Sequence, residues 1–402
     1  MKILFLTDNF PPEFNAPATR TYEHCKEWIR LGAEVTVITC APNFPSGKVF
    51  DGYKNVWRSE ERVDGIKVIR VWSYISANQG FFKRTLDFVS FALTSFLAGL
   101  FIKTDIIVAT SPQFFTAVSG CALGIFKQKK WVMEVRDIWP ESIKAVDAVK
   151  SAWVIAFLEK IELFLYKSAY KIVVVTDSFK ENLVQRGVSK EKVFVIKNGV
   201  DLAIYKPSPK NIELTKTLGI QGKFVIGYIG THGLAHSLDF IVKSISKLND
   251  QSYHFLFIGE GAEKKNVKNL AEELALANIT FIDPVKKSEI PKYLTIVDVA
   301  LVPLKKSTTF ESVIPSKVFE AVAMNVPILL GVDGETRRII ESYYSGLYFE
   351  PENEIDFIEK MKLMKALISK GNNPFADGCQ KMASDFNRDI LAKKMLDVLS
   401  NN

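Results

Sequence analysis

Cysteine is scarce in this chain: four in 402 residues, Cys25, Cys40, Cys121 and Cys379, far apart and with no Cys-x-x-Cys pair. That spacing implies neither a disulfide framework nor a cysteine-held zinc, and it favours a reducing cytoplasm. No Asp-x-Asp pair occurs anywhere, so a common carboxylate arrangement for presenting a divalent metal is missing. The first loop lacks Gly-x-Gly-x-x-Gly; Pro11, Pro12, Asn15, Ala16 and Pro17 stand there, which disfavours a dinucleotide enzyme. Helix-turn-helix, zinc-finger and RNP signatures are absent, so no nucleic-acid partner is expected. The apolar run before Asp8 is too short for the core of a signal peptide and reads as a first strand. Short-period repeats and low-complexity segments are absent as well.

What is present is an apolar fraction of 48%, enough for real cores, over a length that suggests two or three domains. Charge is uneven: residues 1–203 carry 27 Lys and Arg against 21 Asp and Glu, a net +6, which leaves +1 for the rest. Such a basic half suits an anionic partner, whether nucleic acid, lipid or a phosphorylated substrate.

Short apolar runs alternate with helical periodicity throughout. Lys2 to Thr7 predicts a strand, Asp8 to Arg20 a proline-bearing loop, Thr21 to Leu31 a helix closed by Gly32, and Glu34 to Thr39 the next strand. Further strands are expected at Ile66 to Val71, Asp105 to Ala109, Trp131 to Val135, Lys171 to Thr176 and Lys192 to Ile196. Leu86 to Ile102 has the length of a membrane span, yet Asp87, Ser90, Thr94 and Ser95 form a polar stripe and a strand follows at once. It reads as a crossover helix, either wholly buried or partly exposed as an interfacial helix flanked by Lys83, Arg84 and Lys103. A long apolar helix is expected at Val146 to Ser168. Arg136 and Asp137 sit at the carboxyl end of a predicted parallel strand, where open α/β sheets bind ligands; a loop-bracing pair of Arg136 with a carboxylate is the alternative.

After Asn198-Gly199-Val200-Asp201 and the linker Tyr205 to Lys210, the alternation restarts, with strands at Phe224 to Gly230, Tyr253 to Gly259, Ile279 to Ile282 and Val299 to Pro303. Gly230-Thr231-His232-Gly233 closes the first of these; glycine permits close backbone approach, and Thr231 and His232 can donate to phosphate. In Thr308 to Gly331, Pro315 and Ser316 stand where a helix begins, Val318, Phe319, Val322 and Ala323 recur at helical spacing, and Pro327 ends it before a buried strand. Free amides at that helix start beside Lys317 make a site for a diphosphate. Glu320 suits sugar hydroxyls such as those of a ribose.

The run Ser-Lys-Val-Phe-Glu-Ala-Val-Ala-Met-Asn-Val-Pro-Ile at 316–328 resembles the nucleotide-sugar signature of retaining glycosyltransferases of family 4. The resemblance implies the GT-B architecture, two Rossmann-like parallel-sheet domains facing across a cleft. It implies an acceptor-binding domain over 1–203, a nucleotide-sugar domain over 204–383, and a last helix, 384–402, that crosses back onto the first. Family members place a glutamate eight residues before the helix glutamate; Ser312 stands there, with Glu311 one place off. Pro-Ser-Lys, the Asn15, Ala16 and Arg20 loop, and Asp-Ile-Trp-Pro-Glu-Ser at 137–142 resemble the WbuB-like subgroup, thought to add N-acetyl-fucosamine. On this resemblance Asn15, Ala16, Arg20 and Arg136 lie beside the donor phosphate and the acceptor, with a helix-surface salt bridge as the alternative for Arg20; Asp137 orients the attacking hydroxyl, and Val285, after Asp283-Pro284, marks where backbone atoms hold uracil.

The expectation is therefore a metal-independent transferase that needs no cofactor. Its donor is a UDP-sugar, its acceptor a polyprenyl-diphosphate-linked saccharide, and its place the cytoplasmic face of an anionic membrane, in O-antigen, capsule or exopolysaccharide assembly. Lys317 meets the charge growing on the departing diphosphate. Two other readings stay open: a UDP-sugar 2-epimerase of the same architecture, and a non-catalytic sugar-nucleotide-binding protein, the latter motivated by Ser312.

Overall fold

The computed structural model describes residues 1–76, 81–111, 114–139, 151–248, 250–368 and 373–401. They form two compact units, Met1–Asn198 with Arg388–Asn402, and Gly199–Asn387. The second unit takes in residues 199–203 and 384–387, which sequence reading assigned to the first; Val200 bridges Asn387 and its amide donates to the Phe386 carbonyl at 3.0 Å.

The first unit is built on eight strands: β1 (Lys2–Leu6), β2 (Glu34–Cys40), β3 (Arg58–Val63), β4 (Ile66–Val71), β5 (Ile106–Thr110), β6 (Lys130–Val135), β7 (Lys171–Val174) and β8 (Val193–Val195). Their order is β3-β4-β2-β1-β5-β6-β7-β8, and every pair except β3–β4 is parallel. Alternate residues of the central strands feed two separate cores. Ile3, Phe5, Ile106 and Val108 join one, Leu4, Leu6, Ile107 and Ala109 the other, as expected of a parallel sheet covered on both faces. The helix Ala16–Arg30 begins at Asn15, whose side-chain oxygen accepts from the Ala18 amide at 2.8 Å. The C-terminal helix Arg388–Ser400 lies on it: Trp28 Nε1 donates to the Ala392 carbonyl at 2.8 Å, and Arg388 pairs with Glu23. That helix starts later than the expected Ser384, since Ala376–Asp385 is a separate helix that ends at Phe386.

In the second unit β9 (Phe224–Ile229), β10 (Tyr253–Ile258), β11 (Ile279–Ile282), β12 (Val299–Pro303), β13 (Ile328–Gly331) and β14 (Gly346–Tyr348) form an all-parallel sheet in the order β11-β10-β9-β12-β13-β14. Both sheets reverse their winding once, between β1 and β5 in the first and between β9 and β12 in the second. The space beyond the carboxyl ends of strands at such a reversal is where open α/β sheets hold ligands.

The predicted crossover helix runs from Phe81 to Leu100 and packs against the helix Phe114–Lys127. It is partly exposed, with Leu93 60% accessible. Among the described residues no helix is long and apolar enough to cross a membrane.

Candidate active site

Lys317 opens the helix Lys317–Ala323, which follows β12 through the short helix Thr308–Glu311. Val318, Phe319, Ala321, Val322 and Ala323 are buried and clamp the helix to the sheet. Its first turn is thereby held over the end of β9. Ser316 precedes it in a helical conformation, φ −58° and ψ −27°, and makes no side-chain capping bond. The expected serine cap is absent because an N-cap normally needs extended backbone to aim its oxygen at the next amides.

Lys317 Nζ is buried, lies 3.9 Å from the centre of the Tyr228 ring and has no hydrogen-bond partner. Burial lowers its pKa to about 7, with Glu320 opposing the shift. Gly230 has φ +149°, and a Cβ there would stand 2.7 Å from Lys317 Nζ, so only glycine leaves the amine its place. His232 is fully buried with both ring nitrogens unpartnered, and His236 Nδ1 is unpartnered too. Burial brings both imidazoles to about 4, with Lys317 adding to each shift. The Tyr228 ring centre lies 5.5 Å from that of His232 and 6.0 Å from that of His236. One amine and two imidazoles thus converge at the sheet reversal. Unpartnered buried nitrogens cost stability, and a group with several negative oxygens would satisfy all three residues.

The backbone around them is fixed by the next loop. Gly230 N donates to Ile258 O at 2.9 Å and His232 N to Glu260 O at 2.8 Å. Gly259 and Gly261 take φ +145° and +157°, and any side chain there would strike the backbones of Gly230 and His232. Sequence reading singled out neither glycine, nor Tyr228; the Gly-Glu-Gly run after β10 was the available signal. Thr231 is exposed, and its carbonyl accepts from the Tyr228 hydroxyl.

Glu320 and Lys317 line one small recess together with Gly227 and Ile229. Glu311 is not part of it. It lines a separate pocket of about 370 Å³ with Lys306, Asp333, Arg337 and Tyr348, while Ser312 points back to the Thr309 carbonyl at 3.4 Å. Val285 is half-buried in the loop after β11, at the same carboxyl edge as Gly230.

In the first unit Arg20 is 7% exposed and makes four hydrogen bonds to protein groups. Its Nε donates to Glu134 at 2.9 Å, Nη1 to Lys197 O and Asn198 Oδ1, and Nη2 to Ile196 O. The expectation of a phosphate-facing cation there is corrected: the guanidinium braces β6 against the end of β8. Asn15 acts as a helix cap, Ala16 is exposed beside it, and Asp137 follows β6 with its amide directed at Ser111 Oγ. Arg136 has an unpartnered buried Nη1, and burial brings it to about 10, against Glu134 and Asp8. Pro140, Glu141 and Ser142 lie outside the described residues. Among the described residues no group of three or more His, Cys, Asp or Glu side chains is arranged to hold a metal ion.

Comparison with known proteins decides the family. The model "Glycosyl transferase 4-like domain" matches residues 15–199, and "Glycosyl transferases group 1" matches residues 211–370. The chain belongs to this glycosyltransferase family. WcaI of Escherichia coli (strain K12), named as a colanic acid biosynthesis glycosyl transferase, is 25% identical over 88% of this chain and 89% of its own. TuaH of Bacillus subtilis (strain 168), named for teichuronic acid biosynthesis, is 25% identical over 61% of this chain and 60% of its own. Sucrose-phosphate synthase from Thermosynechococcus elongatus superposes with a TM-score of 0.77 at 14% identity, covering 99% of this chain and 98% of that one. HepE of Anabaena, solved with UDP-glucose, superposes with a TM-score of 0.71 at 16% identity over 100% and 99%. The glycosyltransferase has the GT-B fold that sequence reading expected.

Proposed function

We propose that this glycosyltransferase takes a sugar from a UDP-sugar, with retention and without a metal, and passes it to a polyprenyl-diphosphate-linked saccharide. The carrying observation is the unpartnered buried amine of Lys317 at the reversal of the second sheet, over the Tyr228 ring that His232 and His236 also approach. A departing diphosphate returns Lys317 to its charged form, and preorganised donors in a dry site are worth about 3 kcal/mol each to such a transition state. Glu320, in the same recess, receives the ribose hydroxyls. The UDP-glucose complex of HepE, a structural neighbour, supports a uridine donor. Resemblance to the WbuB-like subgroup supports N-acetyl-fucosamine as the sugar. Relatives named for colanic and teichuronic acid support a role in polysaccharide assembly.

A membrane location at the cytoplasmic face is part of the same reading. The helices Phe81–Leu100, Phe114–Lys127 and Ala152–Ser168 expose Leu93 and Leu97, Ile125 and Phe126, and Trp153, Phe157 and Phe164; Phe101 adds a ring that is 81% accessible. Lys103, Lys129 and Lys160 are exposed on or beside these helices, as suits anionic headgroups.

A UDP-release screen tests the proposal: UDP-N-acetyl-fucosamine, UDP-N-acetylglucosamine, UDP-glucose and UDP-galactose with lipid-linked acceptors, in EDTA. Acceptor-dependent UDP release is expected. Turnover of the donor alone without UDP release would indicate the epimerase, and UDP binding with no turnover a binding protein.

A further inference from the structure

A second group of unsatisfied polar atoms lies in the first unit, beyond the carboxyl ends of its strands at the β1/β5 reversal. Asp8 follows β1, Ser73 follows β4, Arg136 follows β6, and Asp87 enters from the helix Phe81–Leu100. Asp8 Oδ1, Ser73 Oγ and Arg136 Nη1 are buried and have no hydrogen-bond partner. The four are coupled: Arg136 acts on the Asp8 carboxyl, Asp8 on that of Asp87, and Ser73 lies beside Asp87. Three strand ends thus bring unmet donors and acceptors to one place beside Asp87 of a fourth element, which a packed core avoids.

We propose that Asp8, Ser73, Asp87 and Arg136 form a subsite for an uncharged sugar ring of the acceptor, and that this subsite excludes phosphate. The proposal rests on the transferase reading of the chain and adds the chemistry of its acceptor. Charge balance decides between sugar and phosphate. Arg20 and Arg136 face two carboxylates: despite the burial that would raise it, they hold Glu134 at about 2, and Asp8 also acts on Arg136. Burial and, secondarily, Asp8 hold Asp87 up at about 7, so the site resists further negative charge. Nearby Arg70 is turned to Glu61, Cys40 O and Pro11 O and offers nothing to an anion. A sugar hydroxyl donates to a carboxylate oxygen and accepts from a guanidinium, and so meets both kinds of unsatisfied atom at no cost in charge.

Saturation-transfer NMR on the full chain tests this, with the methyl glycosides of glucose, galactose, N-acetylglucosamine, fucose and glucuronic acid, and inorganic pyrophosphate, in the presence of UDP. At least one neutral glycoside should bind, methyl glucuronide and pyrophosphate should not compete for its site, and both Asp8→Asn and Ser73→Ala should weaken it at least tenfold. UDP affinity, which reports the second unit, should stay within twofold, and an unchanged near-ultraviolet circular dichroism spectrum and melting temperature show that the first unit of each variant is folded. The proposal is overturned if no neutral glycoside binds while UDP does, if pyrophosphate displaces the glycoside, or if both variants bind it unchanged. A chain that fails to bind UDP would instead count against the uridine donor.

Discussion

The ammonium nitrogen of Lys317 stands 3.9 Å from the centre of the Tyr228 ring, buried and with no hydrogen-bond acceptor. The ring supplies a cation–π contact, which recovers only part of the lost hydration. Replacing the amine by a thioether of similar length should therefore act in opposite directions on stability and on binding. Lys317→Met is expected to raise the melting temperature of the unliganded chain, because an unmet buried amine disappears. It should also weaken UDP at least tenfold, about 1.4 kcal/mol. Thermal unfolding with and without UDP, followed by calorimetric titration, measures both. Equal UDP affinity in the variant would remove Lys317 from the diphosphate site.

Gly230→Ala tests the same nitrogen from the other side. The added methyl would stand 2.7 Å from Lys317 Nζ on a backbone with φ +149°. The amine must move or the loop must shift, and UDP affinity should fall at least tenfold with the fold retained. Retention of wild-type affinity would show that the loop can yield without harm.

Proton linkage gives a third expectation. With a pKa of about 7 in the unliganded chain, Lys317 is mostly neutral above that pH, whereas the liganded form needs it charged. Binding should therefore take up a proton above pH 7 and almost none from Lys317 well below it, and affinity should decline as pH rises from 7 to 9. For folding the sign is the reverse: the unfolded lysine holds its proton up to 10.5, so this group's contribution to stability rises with pH between about 7 and 10.5. Titrations at pH 8 in two buffers of different ionisation enthalpy measure the uptake, and Lys317→Met should abolish it.

Most of the fold and half of the site were legible in the sequence. Strands such as Ile106–Thr110 are covered on both faces and read as unbroken apolar runs. Strand β3 was missed because Arg-Ser-Glu-Glu-Arg-Val is an exposed edge, charged as edges are, and only Asp64-Gly65, with φ 47° and 85°, marks its hairpin. Lys317 and Glu320, which line one recess, were legible as a pair because one helix carries both. Tyr228, Gly259 and Gly261 were not, since strand order alone brings them to Lys317. Arg20 was misread for a related reason: its partners stand 114 to 178 residues away, and only the fold shows a guanidinium already engaged.

That bracing role predicts stability effects. Arg20 and Glu134 are 7% and 1% exposed and 2.9 Å apart. Arg20→Met leaves Glu134 with one of its two arginines and strips three backbone and side-chain acceptors of their donor, so a loss of about 3–5 kcal/mol is expected. The Glu134 carboxyl, at about 2 against its ordinary 4.5, contributes about 3 kcal/mol that is present above pH 4.5 and lost as pH falls through 2. Urea unfolding between pH 2 and 7 should show an acid-side decline that Glu134→Gln flattens. A variant as stable as wild type would return Arg20 to the acceptor.

The exposed apolar helices of the first unit yield the last prediction. Leu93 and Leu97 lie one turn apart, and the Phe96 and Phe126 rings meet at 5.4 Å, so the helices Phe81–Leu100 and Phe114–Lys127 present a joint face. Leu97 is 48% and Phe126 71% exposed, and neither supports the core, so a carboxylate at either position costs the fold little. At a lipid surface the same carboxylate forfeits apolar insertion and meets headgroups of like sign. The double change Leu97→Glu and Phe126→Glu should therefore release the protein from vesicles of phosphatidylethanolamine with phosphatidylglycerol while leaving UDP affinity within twofold. Co-sedimentation at about 0.1 M salt measures it, where exposed charges further apart than about 10 Å are largely screened and apolar insertion is not. If the double variant sediments like wild type, these helices do not contact lipid, and the basic half of the chain would have to find its anionic partner elsewhere.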